Sequence, residues 1–169
     1  MHSIRAKIAA AQGQILDALI GCESQTAAMY EGFAVLFPDS SLLWSELAAE
    51  ERQHAKVLEA MHAVLARGNL FQNIGRFEQA KMKALHDLLE TVNRKVLTGK
   101  TTLAEAVAAA VKVERSFVES HFYKVVLSDA PEFTAMCKTL QAEEERHFAR
   151  INDVFQNGAR VQTDSPELA

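Results

Sequence analysis

The sequence predicts an all-α protein: a bundle of four long helices in two antiparallel hairpins, with a long crossover between them that holds an extra helix. Three observations predict it. Gly (7) and Pro (3) are scarce in 169 residues while apolar residues make up 49%, so there is core to build and little to break helices. Apolar residues recur at three- and four-residue spacing in each long stretch, and no stretch reads convincingly as a strand. The chain also repeats itself around Pro38 and Pro131.

The first helix (A) runs from about Ile4 or Ile15 to Phe37, with Gly13 and Gly21 leaving its start open and Pro38 ending it. Pro38-Asp39-Ser40-Ser41 reads as a turn and helix start. Helix B spans about 41–66 and stops at Arg67-Gly68-Asn69. Between 76 and 97, Phe77, Leu85, Leu88, Leu89, Val92 and Val96 form one amphipathic face, which predicts the extra helix. Thr98-Gly99-Lys100 breaks it. Helix C follows over about 102–127, a turn at Ser128-Asp129-Ala130-Pro131, and helix D over 131–157. Residues 1–157 thus form one domain, and the polar stretch 158–169 reads as a frayed tail. Helices of ~25 residues span ~37 Å, so the crossover is long enough to run the length of the bundle.

Composition narrows the function. A net charge of -4 and the lack of any Lys/Arg cluster argue against nucleic acid as a partner. Cys22 and Cys137 show no C-x-x-C spacing and read as small core or near-core residues. The N-terminus lacks the apolar core of a signal peptide, and no run approaches the ~18 apolar residues of a membrane span. A soluble cytoplasmic protein is the expectation.

The internal repeat carries the chemistry. With Pro38 set against Pro131, Leu47 meets Leu140, Glu50-Glu51 meets Glu143-Glu144, His54 meets His147 and Leu58 meets Ile151. Each half also has one Glu on its first helix, Glu23 and Glu114. Glu-x-x-His alone says little: it occurs three times, and the third pair, Glu59 and His62, aligns with Asn152 and Phe155. That pair reads as solvated or boundary residues. The other two each begin 13 residues past a proline, and that shared position is the signal.

Residues at i±3, i±4 and i±7 share a helix face. On that rule Glu23 lies among Leu16, Leu19, Ala27 and Tyr30, and Glu51 among Trp44, Leu47, Ala48 and Leu58. Glu114 lies among Val107, Ala110, Val111 and Val118, and Glu144 among Cys137, Leu140 and Ile151. Each carboxylate sits in a stripe that should face the core, where an unpartnered charge costs several kcal/mol or stays protonated. Two divalent cations would balance four carboxylates, with two neutral imidazoles adding nitrogen donors. Glu23, Glu51, His54, Glu114, Glu144 and His147 are therefore the candidate metal ligands. The competing reading is a metal-free Glu–His hydrogen-bond network. Carboxylate and imidazole donors suit iron, manganese or zinc, and a carboxylate-rich site favours iron or manganese.

Around these six residues the chain resembles the rubrerythrin branch of the ferritin-like di-iron proteins, which take one Glu from each of two helices and Glu-x-x-His from each of the other two. The resemblance covers about 15–66 and 102–157, through GCESQTAAMY (21–30), EERQHAK (50–56), VKVERSFVESHFY (111–123) and EEERHFARI (143–151). It implies a ferritin-like fold, Glu23 and Glu114 as terminal ligands, Glu51 and Glu144 as bridges, and one metal on each of His54 and His147. Tyr30 would be either a hydrogen-bond partner of a ligand carboxylate or a plain core aromatic. Two departures stand out. Phe117 occupies the place of a further Glu found in peroxidase rubrerythrins, and there is no rubredoxin domain with its C-x-x-C pairs. His121 stands where a Tyr is common, a place from which it could serve as an additional ligand or as a partner of a ligand.

The resemblance implies a di-iron oxidoreductase reacting with O2 or H2O2, of ferroxidase or peroxide-scavenging type, working as a homodimer with a separate electron-donor protein. The alternatives are a metal-binding or storage protein without turnover and a structural protein with a relic site.

Overall fold

The computed structural model describes residues 2–66, 78–120 and 131–163. Five helices account for nearly all of them: α1 (His2–Leu36), α2 (Ser41–Ala66), α3 (Gln79–Leu97), α4 (Leu103–Ser120) and α5 (Pro131–Thr163). No strand occurs among the described residues. The protein is all-helical, as the residue pattern predicts.

Contacts between helices give their directions. Tyr30 and Phe33 of α1 pack on Trp44 at the start of α2, while Asp17 meets His62 near its end, so α1 and α2 are antiparallel. Along α3, Met82 meets Cys22, Asn93 donates to the Gln25 carbonyl, and Val96 abuts Gly32. Helix α3 therefore runs parallel to α1 and is itself the return path of the crossover. At the site, α5 is antiparallel to α2: Glu143 lies beside His54, His147 beside Glu50, and Phe155 on Trp44.

Local chemistry sets the turns. Pro38 begins a short 3-10 turn (Pro38–Ser40), in which the Ser40 amide bonds to the Phe37 carbonyl and the Trp44 indole to Ser40 Oγ. After α3, Gly99 takes φ 67°, a conformation that side chains with a Cβ resist. Thr102 and Glu105 then cap α4 reciprocally: the Glu105 amide meets Thr102 Oγ1 and the Thr102 amide meets Glu105 Oε2.

Several boundaries differ from those expected. Helix α1 starts at His2, because neither Gly13 nor Gly21 interrupts it. A glycine inside a helix costs only about 1 kcal/mol, which packing against α2 and α3 outweighs. Helix α3 begins at Gln79, and the expected start at 76–77 lies outside the described residues. Helix α4 begins at Leu103, one residue past Thr102, which caps it. Its predicted continuation to 127 also lies outside them. The α5 backbone stays helical through Gly158 to Thr163, past the expected end at Asn157, and no proline lies within the turn after the glycine to stop it.

The core is one continuous cluster. Leu16, Leu19, Tyr30, Phe33, Trp44, Leu47, Leu58 and Met61 come from the first hairpin, and Ala106, Ala110, Val113, Phe117, Phe133, Leu140 and Ile151 from the second. Helix α3 adds Met82, Leu85, Leu89 and Val96 against α1. Among the described residues, no helix is long and apolar enough to cross a membrane.

Candidate metal centre

Inside that apolar core lie Glu23 from α1, Glu51 and His54 from α2, Glu114 from α4, and Glu144 and His147 from α5. Each is at most 1% exposed. The structure brings all six predicted residues together. Their donor atoms form two overlapping sets. In one, Glu23, Glu51, His54 and Glu144 offer one atom each within 4.8 Å of one another; in the other, Glu51, Glu114, Glu144 and His147 do the same. Glu51 and Glu144 belong to both, while each set has its own His and its own Glu.

Both imidazoles turn the same nitrogen inward. His54 Nδ1 lies 3.2 Å from Glu51, 3.5 Å from Glu144 and 3.8 Å from Glu23. His147 Nδ1 lies 2.8 Å from Glu51 and 3.9 Å from Glu114. The two rings stack at 5.2 Å with 14° between their planes. The Tyr30 hydroxyl, fully buried on α1, donates to Glu114 Oε1 on α4. Of the two roles weighed for Tyr30, it takes the carboxylate partner's, while its ring also packs against Trp44 at 5.6 Å.

The electrostatics follow from burial. Burial first, then the Glu51 charge, pushes the Glu23 carboxyl well above its ordinary value. Burial, then Glu144 and Glu51, does the same to Glu114. Glu144 is pushed up to about 8 by burial and then by Glu23 and Glu51. Burial also works to raise Glu51, but hydrogen bonds from His147 and His54 outweigh it and hold this carboxyl below the usual range. For His54, burial opposes the charged form, yet bonds to Glu144, Glu23 and Glu51 outweigh it and raise the imidazole. For His147, burial is likewise outweighed, chiefly by Glu51. Without metal, protons supply the positive charge that this cluster of acids requires.

The donors fit a metal better than they fit one another. Glu114 Oε2 is buried and makes no hydrogen bond among the described residues, and Glu51 Oε1 and His147 Nδ1, 2.8 Å apart, pair only when the imidazole carries the proton between them. Orphaned buried polar atoms are rare in folded proteins. Lone pairs converging on a common point are what a cation satisfies.

The remaining expectations resolve individually. Glu59 is exposed, and His62 bonds to Asp17 at 3.0 Å away from the cluster, as expected of boundary residues. Cys22 and Cys137 are buried free thiols, each pushed up to about 12, mainly by burial. Phe117 is buried one turn beyond Glu114. His121 lies outside the described residues. His86, Asp87 and Glu90 of α3 also stand close together, but all are exposed, a common arrangement without any ion.

Sequence reasoning missed a second layer. Glu143 Oε2 lies 2.9 Å from His54 Nε2, and Glu50 Oε2 lies 2.7 Å from His147 Nε2. Both acids belong to the duplicated Glu-Glu-x-x-His pattern, and that repeated doublet was the available signal.

The fold and site define an all-helical protein with a buried Glu/His cluster able to hold metal. Among known protein families, curated proteins and solved structures, none matches the chain.

Proposed function

We propose that the chain is a ferritin-like, rubrerythrin-like di-iron oxidoreductase in which the six buried residues hold a pair of metal ions. The observation that carries this reading is the overlap of the two donor sets through Glu51 and Glu144. Two shared carboxylates, with one private Glu and one private His on each side, form the donor set of a dinuclear centre. Glu23 and His54 would serve one ion, Glu114 and His147 the other, and Glu51 and Glu144 both. Four carboxylates against two divalent ions give a neutral interior, which removes the cost of burying either alone. Carboxylate-rich donors favour iron or manganese, which change oxidation state, over zinc, and the resemblance to the di-iron proteins selects iron.

When bound, such a pair supplies redox chemistry toward a small oxidant, O2 or H2O2. The chain's own part is to hold and to shield. Tyr30 holds the Glu114 carboxylate, the imidazoles stack on each other, and burial of all six residues in the apolar core keeps bulk water out. Electrons would come from a separate donor protein, and a homodimer is the proposed working form.

Elemental analysis after iron-supplemented expression tests the centre, with about two metal ions per chain expected. Trace metal only would overturn it. Turnover of O2 or H2O2 by the Fe(II)-loaded protein then separates an oxidoreductase from a storage protein, and light scattering tests the dimer.

A further inference from the structure

Cys22 and Glu23 are neighbours on α1, and one residue turns a helix by ~100°. Glu23 enters the carboxylate cluster, while Cys22 faces α3 and directs its thiol hydrogen to Met82 Sδ at 3.5 Å. Both side chains are buried, at 0% and 5% exposed. Both also line a partly open cavity of about 390 Å³ between α1 and α3, hollowed on the α1 side by the small Ala11 and Ala18. Sulfur side chains in contact often do no more than fill core space. This pair borders open volume instead.

His86 follows Met82 by one turn on the same face of α3 and lines the same cavity. Two helices thus bring a thiol, a thioether and an imidazole to one space. Sulfur donors of this kind select soft ions, Cu(I) above all. Charge points the same way. A buried thiol is neutral, and a monovalent cation that replaces its proton leaves it neutral. A divalent ion would leave a buried positive charge, which is costly without a second anion. Among the described residues, no acid lines the cavity, and the Lys83 ammonium at its rim is bound by Asp87. The carboxylate cluster, with four acids, is the opposite case.

We infer that Cys22, Met82 and His86 form a site for a soft monovalent metal ion, Cu(I), separate from the carboxylate cluster and independent of any reading of it. On binding, the Cys22 S–H bond breaks, an S–Cu bond forms, and the proton leaves to solvent through the open side of the cavity. Met82 and His86 each give a lone pair, and no group changes oxidation state. With metal–sulfur bonds of about 2.3 Å and the ~120° angle of three-coordination, the two sulfurs would stand ~4 Å apart. They are 3.5 Å apart with only a proton between them. The three rotatable bonds of Met82 can supply the small difference, and the cavity gives it room.

The test is anaerobic titration of the full chain with Cu(I) against a competing chelator, together with copper-edge X-ray absorption of the loaded protein. Wild type should bind about one Cu(I) per chain, with two sulfur neighbours and one nitrogen neighbour. Cys22→Ser should abolish this binding, and Cys137→Ser, which removes the other buried thiol, should leave it unchanged. Met82→Leu should lose one sulfur neighbour and His86→Gln the nitrogen, each weakening binding by on the order of tenfold or more. Leucine nearly conserves the volume of methionine, and His86 is exposed, so both variants should fold even if Cys22→Ser does not. Zn(II) added beforehand should leave the Cu(I) count as it was. No Cu(I) binding by wild type would overturn the site. So would loss of binding in Cys137→Ser, spectra and affinity unchanged in both Met82→Leu and His86→Gln, or blockage by zinc.

Discussion

Tyr30 of the first hairpin donates its hydroxyl hydrogen to Glu114 of the second, so a buried phenol ties a candidate ligand to the opposite half of the bundle. Tyr30→Phe removes that bond while preserving the stack on Trp44. Loss of a buried hydrogen bond that leaves its partner unsatisfied should cost about 1–3 kcal/mol. Urea denaturation of the metal-free protein measures the cost. A zinc titration should show weakening at one of two steps, since Glu114 belongs to one donor set only. Equal weakening of both steps would count against the assignment of sides.

Sharing of donors predicts unequal consequences for the four acids. Glu23→Ala or Glu114→Ala should leave about one bound metal per chain, because each removes a private donor. Glu51→Ala with Glu144→Ala should leave none, because both donor sets depend on these residues. Metal counting on the purified variants, after circular dichroism confirms that they are helical, reads the difference. Full occupancy in the double variant would show that the ligands lie elsewhere.

The pH dependence should reverse on loading. In the metal-free protein Glu23, Glu114, Glu144, His54 and His147 are all raised, so the folded state binds more protons than the unfolded one. A raised group contributes stability fully below its unfolded value and loses it as pH climbs through the folded value. For Glu144 that window runs from the ordinary carboxyl value up to about 8. Glu51, being lowered, acts oppositely, and its contribution is lost only on acidification below the ordinary value. Metal-free stability should therefore fall as pH rises from ~5 to ~8. Zinc affinity should rise across the same interval, because bound metal displaces those protons. Thermal melts with and without zinc at several pH values test both slopes, and a metal-free melting temperature that rises with pH would contradict the assigned proton balance.

Helix α3 sits close on α1 at one place. A Cβ at Gly32 would collide with Val96 Cγ1, so Gly32 permits this approach by lacking a side chain. Gly32→Ala should cost about 1–3 kcal/mol by overpacking. Adding Val96→Ala should recover part of the loss, a coupling that denaturant midpoints of the two single variants and the double variant would reveal. Additive losses would place the cost in α1 itself.

The six cluster residues were readable in the sequence because each sits on a helix face whose other members are mostly apolar, and because the Glu-x-x-His pattern occurs twice at the same distance from a proline. Helix ends marked by Pro38, Gly99 and Pro131 were readable for the same local reason. Gly13 and Gly21 misled, since a glycine's cost inside a helix is small beside packing energies that no local window contains. Glu50 and Glu143 stayed hidden although their doublets were in view. Both are partly exposed, at 44% and 29%, and on their own helices they look like ordinary solvent-facing acids. Only the antiparallel partner reveals their target.

By itself, then, the amino-acid order determined that this chain is helical, where it turns, and which four carboxylates and two imidazoles must be buried, because helical periodicity and chain-breaking residues act over a few residues. Which nitrogen of each histidine faces the cluster, which acids are shared, and that Tyr30 belongs to Glu114 were decided by tertiary structure. These are relations between side chains on different helices, set by how α1, α2, α4 and α5 pack, and no spacing along one strand of sequence encodes them.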